Sequence, residues 1–346
     1  MKNQIRLAVL GCGTIVKSAH LPAVLAHPDI ALVALVDAAS NRAANLMRSA
    51  QLNCTASTDY ASVLGEVDAV INALPNHLHA PVTLEALAAG VHVLCEKPLA
   101  TKSADARACA AAAAEKGLVL AVGMNRRYQD NQRLLRIVLE HGMIGKLQDY
   151  NWQVGGPYDW NAASTFYFSR AEAGGGALID YGVHLLDSLT DWFGPVTDFQ
   201  YEDDDWGSGI EANVCLTLQH SNRYGTIPGQ VRISRTYPLA NSLLVRGTEA
   251  TAELLLSDPD IVILHRQIDG QSLSETLRLG DGNKASPNSF YLQLDNFVQS
   301  IRGVQTACVD GLQAAAVLEL IERCYAQRKR IPEPWSELET SSGAPA

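Results

Sequence analysis

The stretch Ile5-Arg6-Leu7-Ala8-Val9-Leu10-Gly11-Cys12-Gly13-Thr14-Ile15-Val16 decides how the rest of the chain is read. Residues 5–10 are an apolar run of strand length that passes without a gap into two spaced glycines, and a helical pattern follows to about His27. Strand, glycine turn and helix in this order form a dinucleotide fingerprint. Gly11 permits the tight turn, Gly13 lets the backbone approach a pyrophosphate, and the phosphate charge then falls at the positive end of the helix. Val16 stands where the third glycine of the fingerprint would be, so the match is incomplete and a plain tight turn stays open as a reading.

Working outward, a second apolar strand at residues 31–36 ends in Asp37, roughly 20 residues or a little more beyond the glycines. A carboxylate there should meet the adenosine ribose hydroxyls and repel a 2′-phosphate, which favours NAD over NADP. Arg42, on the next helix, could soften that preference or could be an ordinary solvated arginine. The alternation continues with a strand at 68–74, a helix at 80–89, a strand at 91–94, a helix at 104–115 and a strand at 118–122. Strands and helices alternating at this spacing predict a parallel sheet covered on both faces. Ligands of such sheets collect outside the carboxyl ends of the strands, where Asn76, His79 and Glu96-Lys97-Pro98 fall. Lys97 therefore has two readings, an ammonium at the cofactor edge and a surface lysine ahead of a helix.

Composition narrows the class. At 346 residues with 47% hydrophobic content the chain suits two domains, and we expect a Rossmann domain over 1–123 and a second domain over 124–346. A net charge of −10 without a Lys/Arg-rich stripe argues against nucleic acid as a partner. The apolar runs are too short to span a bilayer, and the first residues enter a strand pattern without an apolar leader, so we expect a cytoplasmic protein without membrane contact. The seven cysteines are scattered, which suggests neither a disulfide framework nor a paired-thiol zinc site. The acidic run at 202–205 reads as a solvated loop and the tail from residue 333 as polar.

A second feature is Gly174-Gly175-Gly176-Ala177-Leu178-Ile179-Asp180-Tyr181-Gly182-Val183-His184, a glycine run opening an amphipathic helix. Asp180 and His184 are four residues apart and share a helix face, so a carboxylate and an imidazole could meet one small molecule. The same spacing also suits a structural hydrogen-bonded pair. Adding Asp187 imitates a metal-ligand set, but no further His/Cys cluster completes one, and no metal is expected.

Taken together, Gly11-Cys12-Gly13-Thr14-Ile15, Leu74-Pro75-Asn76-His77-Leu78-His79, Glu96-Lys97-Pro98, Gly123-Met124-Asn125-Arg126-Arg127-Tyr128 and the glycine-led helix resemble, in this order, the Gfo/Idh/MocA oxidoreductases. The resemblance implies an α/β protein: an N-terminal Rossmann dinucleotide-binding domain, then a C-terminal α/β domain with a large, mainly antiparallel open sheet that serves a homo-oligomer, a dimer or tetramer. It implies an NAD(P)-dependent dehydrogenase acting on a secondary CH–OH of a sugar, sugar derivative or cyclitol. Lys97, Asp180 and His184 match its catalytic triad, in which the aspartate orients the carbinol and the histidine takes the hydroxyl proton. The implied cofactor site comprises Gly11, Gly13, Thr14, Ile15, Asp37, Leu74, Asn76, His79, Glu96 and Lys97, and the Lys97–Pro98 peptide is expected to be cis. Two alternatives share the scaffold, an NAD-dependent glycosidase or lyase working through a transient ketone and a non-catalytic nucleotide-binding regulator.

In the second half, residues 131–141 read as a helix and 147–154 as a strand. The aromatic-rich loop from Tyr158 to Arg170 has a composition suited to gripping a polyol, or to packing over the helix; Tyr158, Trp160, Arg126 and the triad are the candidate substrate contacts. Strand patterns at 196–201, 212–218, 229–234, 241–246, 250–256 and 261–266 suggest an antiparallel meander, closed by helices at 291–301 and 312–327.

Overall fold

The computed structural model describes residues 4–39, 41–157, 164–205, 207–222, 225–280 and 288–331. The chain divides into two compact units, the first built from Met1–Arg133, Trp160–Gly174 and Gly280–Glu319 and the second from Leu134–Asp159, Gly175–Leu279 and Leu320–Ala346.

In the first unit, strands β1 (Ile5–Leu10), β2 (Ile30–Val36), β3 (Thr55–Ser57), β4 (Ala69–Asn72), β5 (His92–Cys95) and β6 (Leu120–Val122) form one sheet in the order β3-β2-β1-β4-β5-β6. Every pairing in it is parallel. Leu7, Ala8, Val9 and Leu10 are fully buried on both faces of β1, as a central parallel strand requires. The intervening helices are α1 (Leu21–Ala26), α2 (Arg42–Ser49), α3 (Asn76–Ala88) and α4 (Ser103–Lys116). β3 escaped the sequence reading because it is three residues long and carries only Thr55-Ala56-Ser57. The first helix also differs from expectation: it opens with a π-helical turn at Val16–His20 before α1 begins. Val16, in the position of the missing glycine, is fully buried in the core of this unit.

A helix from the far end of the chain completes that core. Helices α5 (Asp130–Glu140), α6 (Arg170–Ala173) and α7 (Val183–Phe193) precede α8 (Ser289–Ile301) and α9 (Gly311–Ala326) along the chain. Leu294, Phe297 and Val298 of α8 belong to the same buried cluster as Leu7, Val9, Leu35 and Ile71. Each such side chain contributes roughly 1.5–3 kcal/mol through burial. Asn288 caps the helix, its side chain accepting the Phe290 N–H at 2.8 Å.

The second unit is organised on a nine-stranded sheet. Its strands are β7 (Leu147–Gly155), β8 (Val196–Asp203), β9 (Asn213–Asn222), β10 (Gly225–Ser234), β11 (Ser242–Gly247), β12 (Thr251–Leu255), β13 (Ile261–Ile268), β14 (Gln271–Arg278) and β15 (Lys329–Arg330). The order is β14-β13-β12-β11-β7-β10-β9-β8-β15. It is mainly antiparallel, as expected, but β10 pairs with β7 and β15 with β8 in parallel, so it is not a simple meander. β14 and β15 form the two edges and were missed, the first for its polar, exposed residues and the second for its length.

Helix α7 buries Leu185, Leu186, Leu189 and Phe193 completely. Phe193 stacks on Tyr150 of β7 at 5.1 Å, and Trp192 on Trp152 at 5.8 Å. The Tyr150 ring fits because its partner across the parallel pair is Gly229, where a Cβ would stand 2.1 Å from Tyr150 Cζ. The core of this unit thus fixes the helix whose start carries Asp180 and His184.

Candidate active site

Strand register places the sequence-chosen residues of the first unit in one row. Leu10, Val36, Asn72 and Cys95 are aligned across β1, β2, β4 and β5. The next residues, Gly11, Asp37, Ala73 and Glu96, continue the ladder through Gly11 N–H to Val36 O, Ala73 N–H to Leu10 O and Glu96 N–H to Asn72 O, each 2.8 Å. This row is the carboxyl edge of the sheet, and strand order reverses between β1 and β4, where ligands of open parallel sheets bind.

At that reversal Gly11 has φ +92°, and a Cβ on it would lie 2.4 Å from the Ala73 carbonyl oxygen. Only a residue without a side chain lets the β1 turn close onto the chain leaving β4. Cys12 donates its N–H to Asp37 Oδ2 at 2.9 Å, Ala39 donates to Oδ1 at 2.9 Å, and the Arg42 guanidinium lies 3.2–3.3 Å from both oxygens. Asp37 is thereby locked beside the glycine turn. Gly13, Thr14 and Ile15 follow directly, leading into the π-helical turn. A tight turn at the switch point with an oriented carboxylate next to it fits a dinucleotide.

His20 and His79 brace the segment around Lys97, which follows a fully buried Cys95. The Glu96 carboxylate accepts from His20 Nε2 at 2.6 Å and from the Lys97 N–H at 3.1 Å. Burial alone would push that carboxyl up, but the hydrogen bond and charge of His20, with Lys97, hold it below the usual carboxylate range. Gly123 makes room for it, since a Cβ there would be 3.1 Å from Glu96 Cδ. His79 lies between two carbonyls, Nδ1 2.6 Å from Pro98 O and Nε2 2.7 Å from Leu74 O. Burial lowers its pKa, against the pull of the two carbonyls, while the ring spans the Leu74 and Pro98 turns. The Lys97–Pro98 peptide is cis. Asn76, at the start of α3, donates to Ala173 O at 2.9 Å.

In the second unit the glycine-led segment is helical but not a plain α-helix. Leu178–Gly182 form a π-helical turn, and α7 follows at Val183. Its wider i to i+5 turn still leaves residues four apart on nearly the same side. Asp180 is half-buried and ion-paired to Arg235, and His184 is buried. Arg235 was not singled out from sequence, being 55 residues away without a local pattern to mark it. Asp187 is almost fully buried, which suits the core rather than a ligand position.

Glu211 was also missed. Its backbone oxygen accepts the Ala177 N–H at 2.8 Å, while its carboxylate accepts the Gly176 N–H at 3.0 Å, the Leu178 N–H at 2.8 Å and the Tyr325 hydroxyl at 2.9 Å. The glycine run follows from this contact. A Cβ at Gly175 would be 2.1 Å from the Tyr325 hydroxyl oxygen, and one at Gly176 would be 2.1 Å from the Glu211 carbonyl oxygen.

Comparison with known proteins agrees with this architecture in both halves. Residues 5–124 match a family described as "Oxidoreductase family, NAD-binding Rossmann fold", and residues 132–253 match the "GFO/IDH/MocA C-terminal domain". The chain belongs to the Gfo/Idh/MocA oxidoreductase family. Its first unit is accordingly a nicotinamide-dinucleotide-binding Rossmann domain. Among relatives, a putative UDP-kanosamine synthase oxidoreductase subunit from Amycolatopsis mediterranei is 36% identical over 197 residues, 55% of this chain and 52% of that one. The chain thus spans about half the length of the curated relatives it matches.

Two solved structures share the fold over nearly the whole chain. Levoglucosan dehydrogenase in complex with NADH and levoglucosan superposes with a TM-score of 0.84 at 21% identity, covering 94% of this chain and 97% of that one. A 3-ketoreductase from Actinomadura kijaniata in complex with TDP-benzene and NADP gives 0.80 at 22% identity, covering 95% and 99%.

The other residues singled out from sequence fall as follows. Arg126 lies in the 3-10 turn Asn125–Tyr128, just past the edge that β6 and Gly123 share with Glu96. Tyr158 and Trp160 lie outside the described residues. The acidic run is not a solvated loop: Asp203 is fully buried and Asp205 nearly so. Tyr201 donates to Asp203 at 2.7 Å and Arg328 pairs with both carboxylates. Burial pushes the Asp203 carboxyl up, whereas at Asp205 the opposing bonds from Arg328, Ser208 and backbone N–H groups overcome burial and bring it to about 2. No helix among the described residues is long and apolar enough to cross a membrane.

Proposed function

We propose that this protein is an NAD(P)-dependent oxidoreductase that transfers hydride at a secondary CH–OH of a sugar, sugar derivative or cyclitol. One observation carries the reading: an ion-paired Asp180 and a buried His184 stand on a single helix start, in a chain whose other unit is a dinucleotide-binding domain. The two similar structures, solved with NADH and levoglucosan and with NADP and a TDP ligand, support the substrate class.

When bound, the nicotinamide supplies the hydride acceptor or donor. His184 takes the hydroxyl proton on its imidazole, since a base near neutral pH is what the alcohol requires. Asp180, itself oriented by Arg235, orients the reacting carbinol. Lys97 donates an ammonium N–H to the oxygen as charge develops there. Gly11, Gly13, Thr14 and Ile15 hold the pyrophosphate, Asp37 the ribose, and Leu74, Asn76, His79 and Glu96 frame the rest of the cofactor. Arg126 contacts the substrate. Asp37 favours NAD over NADP, while Arg42 on the same carboxylate moderates the preference. A homo-oligomer belongs to the same reading, supported by the exposed Ile268 and Leu273 on the outer strands of the large sheet.

A screen of sugars, sugar acids, nucleotide sugars and inositols with NAD and NADP, followed by absorbance of the reduced cofactor, tests the proposal. Turnover of at least one is expected. Loss of about 10²-fold or more in kcat is expected for His184→Ala and Lys97→Ala with the fold intact. Near-normal turnover in both variants would overturn the assignment.

A further inference from the structure

A helix starts with up to four backbone N–H groups that have no partner within the helix. At the start of the Asp180 helix, Glu211 takes three of them in succession, on residues 176, 177 and 178, through its two carboxylate oxygens and its own carbonyl. Tyr325, from α9, donates to the same carboxylate.

Both members of the Asp180–Arg235 pair are tied to this point. Gly176, whose N–H Glu211 holds, accepts the Asp180 N–H on its carbonyl at 3.1 Å. Ala212, the residue after Glu211, accepts the Arg235 N–H at 3.0 Å. We propose that Glu211 and Tyr325 are positioning residues for Asp180: the Glu211 carboxylate clamps the glycine-led turn so that Asp180 keeps its place against Arg235. The catalytic consequence rests on the function proposed above, whereas the clamp does not.

The ionised carboxylate accepts from all three donors, and on protonation it can donate to the Tyr325 hydroxyl, which then accepts, so the turn stays held in both states. Burial pushes the Glu211 carboxyl up to about 7 against the pull of those donors, so the closed turn takes up a proton that an opened one would not. The titratable groups facing it are Tyr325 of α9 and Tyr201 of β8, whose own hydroxyl is raised by burial and then by the Glu211 charge. Beyond Tyr201 lie Asp203, Asp205 and Arg328, which pair among themselves, and Asp180 and His184 sit on the clamped helix itself.

The test is hydrogen exchange of the 174–182 segment by mass spectrometry, corrected for intrinsic rates, from pH 5.5 to 8.5 in wild type, Glu211→Gln and Tyr325→Phe. Wild-type protection should rise about tenfold or more as pH drops through about 7, because the closed turn binds the Glu211 proton more tightly than an opened one. Glu211→Gln should lose this step, and Tyr325→Phe, which removes a donor to the anion, should move it to higher pH. With a substrate from the screen, kcat of Glu211→Gln should fall by roughly 10- to 100-fold, while the NADH Kd stays within about twofold. Protection independent of pH in wild type, or an unchanged step and unchanged kcat in Glu211→Gln, would overturn the proposal. If no sugar is turned over, the exchange step alone decides, so the two readings fail separately; if Glu211→Gln does not fold, the displacement of the step in Tyr325→Phe decides.

Discussion

The Arg235 guanidinium lies on the Asp180 carboxylate, with the two side chains 17% and 19% exposed. A pair so far removed from water holds Asp180 as an anion in one orientation, and losing either partner leaves the other charge half-buried and alone. Arg235→Met should therefore lower kcat by roughly 10- to 100-fold and stability by about 1–2 kcal/mol, read by steady-state kinetics and denaturant unfolding. Arg235→Lys should recover part of the stability and little of the rate, because an ammonium cannot reproduce the planar fork.

Gly11→Ala should be among the most damaging single changes. The new methyl group would meet the Ala73 carbonyl at 2.4 Å on a backbone with φ +92°, so both contact and conformation oppose it. A loss of about 2–4 kcal/mol and of NADH binding is expected, measured by thermal unfolding and fluorescence titration. Wild-type affinity in this variant would mean that the turn can open without cost.

Asp37→Ala should shift cofactor preference. It removes the charge that repels a 2′-phosphate and releases Arg42, now 3.2–3.3 Å from both carboxylate oxygens, toward one. The ratio of NADP to NAD affinity should rise by about tenfold, at a cost of about 1–2 kcal/mol for the Cys12 N–H left without its acceptor. Separate Kd values for the two cofactors settle the point; an unchanged ratio would remove Asp37 from the specificity role.

Glu211 makes stability depend on pH with a definite sign. Its folded pKa, about 7, is above the ordinary carboxyl value of 4.5, so between these values the folded protein binds the extra proton. Its contribution is fully present below about 4.5 and is lost as pH rises through about 7. Relative to Glu211→Gln, wild type should lose up to about 3 kcal/mol between pH 4.5 and 8, read from urea midpoints at matched ionic strength. A difference independent of pH would contradict the shift.

Legibility from sequence followed distance along the chain. The glycine turn and the strand that ends in Asp37 carry their meaning within a few residues, and the parallel register then delivers Gly11, Asp37 and Glu96 to one edge without further instruction. Asp180 and His184 were visible because helical spacing is local. Arg235 and Glu211 were not, since each reaches the helix only through the nine-stranded sheet, and an Arg after a strand or a Glu before one is unremarkable by itself. The acidic run at 202–205 misled for the converse reason: clustered charge is usually solvated, and Arg328, which pairs with the buried Asp203 and Asp205, lies more than a hundred residues on.

The π-helical turn at Leu178–Gly182 is equivalent to an α-helix carrying one inserted residue. Deleting a single residue within it would restore an unbroken α-helix with the flanking segments nearly in phase, and would turn the side chains inside it, Asp180 among them. Asp180 would then leave Arg235 even though every side chain in the pair were still encoded. The segment is therefore intolerant of changes in length in a way that substitution scanning cannot reveal, and a one-residue deletion series across 178–182 would map that phase directly.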